Sequence, residues 1–208
     1  GNFRYVYHPQ ATHSPAPAVN IGAAQARGEI IGVMIDGARM LTPGVIQQVL
    51  ASSKVYDNPV IATLGWYLGP DVQNKSIHHG YTKAVEDQLL AKIAWPQDGY
   101  RLFEISTQAG GSKFGWFGPL LESNAIFVKR RTFDQLGGYD ERFTSLGGGL
   151  VNPDFYRRAC DLPDSELIIL LGEGNFHQLH GGVASNAPNE QTQLENRRIW
   201  AEEYEAVT

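Results

Sequence analysis

The stretch EIIGVMID, residues 29–36, limits the fold of this chain most. It is apolar on both faces between which a strand alternates, and it ends in an acid. A strand of this kind needs cover on both sides, as in a parallel sheet flanked by helices. The segments around it change type in turn. TPGVIQQVLASS (42–53) has Thr at the N-cap, Pro at the first helical position and apolar Val45, Ile46, Val49 and Leu50, which predicts a helix. PVIATLGWYLG (59–69) reads as a strand, and YTKAVEDQLLAKIAW (81–95) as a helix burying Val85, Leu89 and Ile93 or their neighbours. At the start, FRYVYH (3–8) alternates aromatic and polar residues and reads as a strand, followed by a Pro-rich loop, PQATHSPAPAVN (9–20). Asn20 reads as the N-cap of an Ala-rich helix closed by Gly28. The alternation predicts a layered α/β sheet with right-handed crossovers.

The middle, residues 96–122, is rich in Gly and aromatics with little periodicity. Trp116, Phe114 and Phe117 would be costly to leave in water, so this stretch reads as a functional loop region. SNAIFVKRRTFDQLGGYDERF (123–143) then reads as a strand, a short helix ended by Gly137-Gly138, and a turn. PDFYRRACDL is helical, SELIILLGEG is a strand, and NEQTQLENRRIWAEEYEAV is a charged C-terminal helix. Residues 1–208 read as one domain, and 208 residues with 42% hydrophobic content are enough to bury a substantial core.

Composition narrows the partners. The net charge is −5, and the 17 basic residues are dispersed except for Lys129-Arg130-Arg131, so no broad nucleic-acid footprint is expected. The lone Cys160 excludes an internal disulfide and points to a reducing, cytoplasmic setting. The apolar run at 167–171 is far short of the roughly 20 residues that span a bilayer. GNFRYVYHPQ has no signal-peptide apolar region.

Three places carry candidate chemistry. Asp36 ends a strand, and in open α/β sheets the ligand crevice lies outside the carboxyl ends of strands. The alternative is an Asx turn or a cap before the next helix. GEGNFHQLHGG (172–182) packs an acid and two histidines among glycines. His177 and His180 can converge on a divalent cation or serve only as packing and hydrogen-bonding groups. In SLGGGLVNPDFYRR (145–158) the glycines allow close backbone approach to a ligand, and Asn152 and Asp154 begin a helix. Asp154 serving that helix start is the competing reading. Trp116 offers a stacking face to a sugar, or belongs to the core or a subunit contact.

Taken in order, NIGAAQARGEIIGVMID (20–36) and SNAIFVKRRTFDQLGGYDERF (123–143) resemble family 2 glycosyltransferases of the GT-A fold. The first is similar to that family's Asn-rich helix, Ala-Gly-Glu turn and strand leading to an acidic DxD motif. The second is similar to its strand, Arg-bearing helix and Gly-Gly-aromatic-Asp-Glu turn. The resemblance spans most of residues 18–160. It implies a Rossmann-like, mixed but mostly parallel sheet flanked by helices, without the first strands that hold the nucleotide base. It also implies sugar transfer from a nucleotide-diphosphate sugar, UDP- or GDP-linked, to a carbohydrate or glycoconjugate acceptor.

By the same resemblance, Asp36, Arg39, Asn20, Trp116, Gly148 and Gly149 are expected at the substrate. Asp36, His177 and His180 are expected at a Mn2+ or Mg2+ ion, and Asp154 and Asn152 at the catalytic step. A homo-oligomer is compatible with it. Two departures stand out. The DxD position reads Asp36-Gly37-Ala38-Arg39, with only the first acid present, so Arg39 is placed to neutralise phosphate instead. The family's Glu-Asp pair aligns with Val151-Asn152, and Asn cannot act as a base. A noncatalytic sugar- or partner-binding module within a larger carbohydrate-modifying protein is the alternative reading.

Overall fold

The computed structural model describes residues 3–9, 12–35, 38–183, 186–187 and 189–208. Its helices are α1 (Ala16–Gln25), α2 (Val45–Ser52), α3 (Gln73–Ser76), α4 (Lys83–Ile93), α5 (Arg130–Gln135), α6 (Val151–Cys160) and α7 (Glu190–Val207). Its strands are β1 (Ile30–Met34), β2 (Arg39–Leu41), β3 (Asn58–Leu68), β4 (Ser106–Gln108), β5 (Ala125–Lys129) and β6 (Ser165–His177). They form a single mixed sheet in the order β1-β5-β3-β6-β2, with β4 paired to the end of β3. The chain is thus an α/β protein with a mixed sheet flanked by helices.

The expected mostly parallel pairing is corrected by the register. Among the described residues only β3 and β6 pair in parallel, with Val60 opposite Leu167 and Tyr67 opposite His177. β5 runs antiparallel to both β1 and β3, and β2 and β4 run antiparallel to β6 and β3. Strands β1, β3 and β6 share one direction, and β5 is inserted in reverse between two of them. β1 therefore lies at one end of the sheet, with Ile31 and Val33 buried and Met34 exposed. Gly32 is needed there because a Cβ would lie 2.6 Å from the Phe127 ring.

The two faces of the sheet are covered by different helices. Ile31, Val33, Val60, Ala62, Leu64, Ile126 and Val128 pack against Ala16 and Ala23 of α1, Phe133 of α5 and Phe155 and Ala159 of α6. On the opposite face Ile61, Phe127 and Leu170 meet Val45 and Val49 of α2. Toward the end of β3, Leu68 and Phe176 pack against Leu90 and Ile93 of α4 and against Leu102. Each such aliphatic or aromatic side chain contributes about 1.5–3 kcal/mol on burial.

Several local expectations change. Residues 3–8 form no strand. α1 starts at Ala16, inside the expected Pro-rich loop, because prolines are tolerated in a first helical turn where backbone N–H groups have no helical partner. Asn20 is accordingly in mid-helix and caps nothing. α2 begins after Gly44 with no side-chain cap, and its Ile46 and Leu50 face solvent. In α4 the buried face is Glu86, Leu90 and Ile93, one residue on from the expected Val85 and Leu89, and the Thr82 hydroxyl accepts from Val85 N.

The GEG segment lies in β6 as expected, and the strand runs on past Gly174 to His177. The β3–β6 ladder breaks after Ala62 opposite Ile169 and resumes at Leu64 opposite Gly174. Residues 170–173 thus bulge against Thr63 alone, with Gly172 at φ 75° making the reversal. The bulge turns Glu173 inward, where its carboxylate accepts from Tyr100 Oη at 2.8 Å, Gln48 Nε2 at 2.7 Å and the Thr42 hydroxyl. This buried acid ties β6 to the approach to α2, and the same hydrogen bond raises the Tyr100 hydroxyl above its ordinary range.

Candidate functional site

Beyond the bulge, β6 carries Asn175 and His177 on one face, two residues apart. β2 and β3 flank them, with Arg39 and Tyr67 both opposite His177. Asn175 is fully buried, and its Nδ2 donates to Thr63 Oγ1 at 3.0 Å and to Leu64 O at 3.1 Å. Its Oδ1 is thereby aimed at Arg39, whose Nη1 donates to it at 2.8 Å. Arg39 Nε donates to Ile35 O at 3.0 Å. The guanidinium therefore ties Ile35, just after β1, to Asn175 of β6. Asp36 lies outside the described residues.

His177 is buried under Tyr67, with ring centroids 4.9 Å apart. The His180 ring sits 4.7 Å from it, and the two Nε2 atoms are 2.9 Å apart, so one imidazole donates and the other accepts. The expected convergence of His177 and His180 is therefore present, although the intervening turn is not helical.

A set of buried polar groups holds that turn. Gln178 N donates to Ala38 O at 2.8 Å, and Leu179 N to Glu86 Oε2 at 2.7 Å. The His180 carbonyl accepts from Gln73 Nε2 at 2.8 Å and from Asn186 Nδ2. Glu86 has no exposed surface and also takes the Tyr81 hydroxyl at 3.4 Å, with Lys83 Nζ 3.5 Å away. Burial first, and then the Glu86 charge and hydrogen bond, push the Tyr81 hydroxyl well above the ordinary tyrosine range. Sequence reasoning missed Glu86 as a positioning residue. Its signal was an acid at the first position of an i, i+4, i+7 stripe whose other members are Leu90 and Ile93.

The other expected residues lie elsewhere and are occupied by packing. The Asn152 amide donates to Ser123 O at 2.9 Å and to Asn124 Oδ1 at 3.2 Å, and its oxygen accepts from Tyr139 Oη at 2.9 Å. Asp154 is 1% exposed and pairs with Arg158 Nε at 2.7 Å, while that guanidinium also reaches Leu136 O and Gly138 O. Asn20 spans the same Gly-Gly turn, donating to Tyr139 O and accepting from Tyr139 N, both at 2.9 Å. Gly148 and Gly149, at φ 84° and 53°, do approach neighbours closely, but those neighbours are protein. A Cβ on Gly148 would lie 2.5 Å from Pro15 Cδ, and one on Gly149 would lie 2.9 Å from Glu203 Oε2. Glu203 of α7 in turn accepts from Thr144 N and Ser145 N. Trp116 packs against Trp66 and Phe103, with centroids 6.2 and 6.1 Å apart. Trp66 and Tyr67 point to opposite faces of β3, so Trp116 is not brought to the histidine pair.

Among the described residues no three His, Cys, Asp or Glu side chains gather as a metal site, so His177 and His180 supply two ligand nitrogens at most. The two imidazoles supply neutral nitrogen donors of the kind a divalent transition metal takes. No family model matches the chain, and no curated protein matches it.

Proposed function

We propose that this chain is a GT-A-type glycosyltransferase domain, taking a UDP- or GDP-linked sugar as donor and a carbohydrate or glycoconjugate as acceptor. The observation that carries the reading is the gathering of Arg39, His177 and His180 at the shared end of β3 and β6, with Asp36 three residues before Arg39 in the sequence. A layered α/β sheet with a ligand crevice at its strand ends is the setting the reading needs. Arg39 ties Ile35 O to Asn175 of β6 and sets a fixed positive charge at that strand end. Asn175 keeps the guanidinium in place by offering it an oxygen whose amide partner is already committed to β3. The His180 ring is set by Gln73 and by Glu86 through the backbone of the 178–180 turn.

His177, His180 and Asp36 would hold a Mn2+ or Mg2+ ion, which would offset charge on the departing diphosphate. Titration calorimetry with UDP and GDP, in manganese or in chelator, tests this. Binding that strengthens at least about tenfold with manganese, and loses that dependence in His180→Ala, is expected. Affinity indifferent to chelator would remove the metal from the proposal and leave Arg39 as the phosphate ligand.

One observation favours the noncatalytic module. Asp154, the carboxylate nearest the expected base position, is buried in its ion pair with Arg158, and Asn152 is consumed by hydrogen bonds to Tyr139, Ser123 and Asn124. Donor-sugar hydrolysis that disappears in Asp36→Asn would exclude the module; nucleotide binding without any turnover would favour it.

A further inference from the structure

The opposite end of the sheet, where β1, β3 and β6 begin, carries a feature that sugar transfer does not use. Arg27, Lys54, Lys129, Arg130 and Arg131 line one groove of about 1000 Å³, against the carboxylates of Glu29 and Asp134. This is a local excess of positive charge on a chain of net charge −5. Several of these cations are braced by neutral acceptors, which fix their positions without cancelling their charge. Arg130 donates to Gly28 O at 3.0 Å and to Ala26 O at 2.8 Å, and Lys129 Nζ donates to Tyr56 O at 3.0 Å. Arg131 donates to Asp57 O, and the Asp57 carboxylate, 3.9 Å away, is almost fully exposed.

Beside the cations lies an exposed apolar strip. Leu50 lines the groove, Ile46 lies one helical turn before it on α2, and the two are 53% and 55% exposed. Val55 and Tyr56, at 65% and 46% exposure, continue the strip into the turn that Lys129 and Arg131 brace. A nucleic-acid backbone would use the charges but has no use for three exposed aliphatic side chains. A bilayer interface uses both, since aliphatic groups enter the headgroup boundary while Lys and Arg meet anionic lipid.

We propose that this end of the molecule docks on an anionic phospholipid surface, with Ile46, Leu50, Val55 and Tyr56 entering the interface and Lys54, Lys129 and Arg131 on the headgroups. With about 3.3 Å of rise per strand residue, β3 sets Arg39 and His177 roughly 30 Å from that surface. The docking is independent of the sugar-transfer reading.

Cosedimentation of the full chain with phosphatidylcholine vesicles and with equimolar phosphatidylcholine–phosphatidylserine vesicles tests it. Binding to the anionic vesicles only, weakened by salt, is expected. Lys54→Glu combined with Arg131→Glu should lower it at least about tenfold. Ile46→Ser combined with Leu50→Ser should lower it without any change in charge, while Lys92→Glu on the exposed face of α4 leaves it unchanged. All these positions are on the surface, and circular dichroism checks each fold. Failure to bind anionic vesicles overturns the proposal. So does tighter binding to a duplex oligonucleotide that the Ile46→Ser and Leu50→Ser pair does not alter, which would assign the groove to nucleic acid.

Discussion

At the end of β6, Arg39, Asn175, His177 and Tyr67 arrive from three strands, and their side chains meet there. At the start of α6, Asn152 and Asp154 hold equally polar groups, yet Asn152 joins α6 to Tyr139 and to the segment before β5, and Asp154 pairs within α6 with Arg158, whose guanidinium reaches Leu136 O and Gly138 O. The difference lies in what closes each hydrogen-bond network. Around Asp154 the partners are an ion pair and backbone carbonyls, which complete the network inside the fold. His177 meets a second imidazole at a strand end, where on the proposed reading a cation would compete for the same nitrogens. Substitutions should therefore read out as stability in the first region and as ligand affinity in the second.

The largest effect is expected at Asp154. Asp154→Ala leaves the Arg158 guanidinium partly buried without its carboxylate, and a loss of about 3 kcal/mol is expected in urea unfolding. A variant of unchanged stability that lost only turnover would return Asp154 to the chemistry and break the contrast. Next is Glu86→Ala, which removes the acceptor of Leu179 N. About 2 kcal/mol of stability should go, together with much of the nucleotide affinity. In the same variant the Tyr81 hydroxyl should ionise at lower pH than in the wild type by absorbance titration, because the Glu86 charge and hydrogen bond no longer add to burial.

A smaller effect belongs to α6 again. Burial pushes the Cys160 thiol up from 9.0 to about 11. The folded chain holds this proton more tightly than the unfolded one, so its contribution is full below pH 9 and is lost as pH rises to about 11. Unfolding free energy should fall by about 1.4 kcal/mol per pH unit in that window on this account, and Cys160→Ala should remove that part of the slope. The smallest stability change is expected for His180→Ala, under about 1 kcal/mol, because its ring makes one hydrogen bond to a neighbouring imidazole. A large destabilisation there would make the histidine pair a packing device and erase the difference between the two regions.

Much of the layered order was legible beforehand. The strands over 59–69 and 165–174, the helix over 81–95 and the C-terminal helix all follow from apolar periodicity and caps, and each formed close to where its residues placed it. Strand direction was not legible. The apolar runs of β1 and β5 fit a strand pointing either way, and only their mutual pairing through Gly32 and Phe127 decided that β5 runs in reverse. FRYVYH failed as a strand for a related reason: alternation states which face a strand would bury, but residues 3–8 meet no partner strand. In the site, the proximity of His177 and His180 was visible from a spacing of three. Arg39 and Asn175, 136 residues apart, were not visible as a pair.

What the sequence determined alone is the inventory: apolar runs long enough for a covered sheet, an acid at the end of one of them, and two histidines after another. These are local properties, set by side-chain chemistry and short-range periodicity. The tertiary structure decided which polar groups serve packing and which gather at the end of β6. A buried polar atom must find a partner, and that partner comes from whichever segment the sheet register brings within about 3 Å. The fold thus committed Asn152 and Asp154 to the core and Asn20 to the turn at Tyr139. It gathered Arg39, Asn175 and His177 at one strand end, and set Glu86 under the histidine turn as its support.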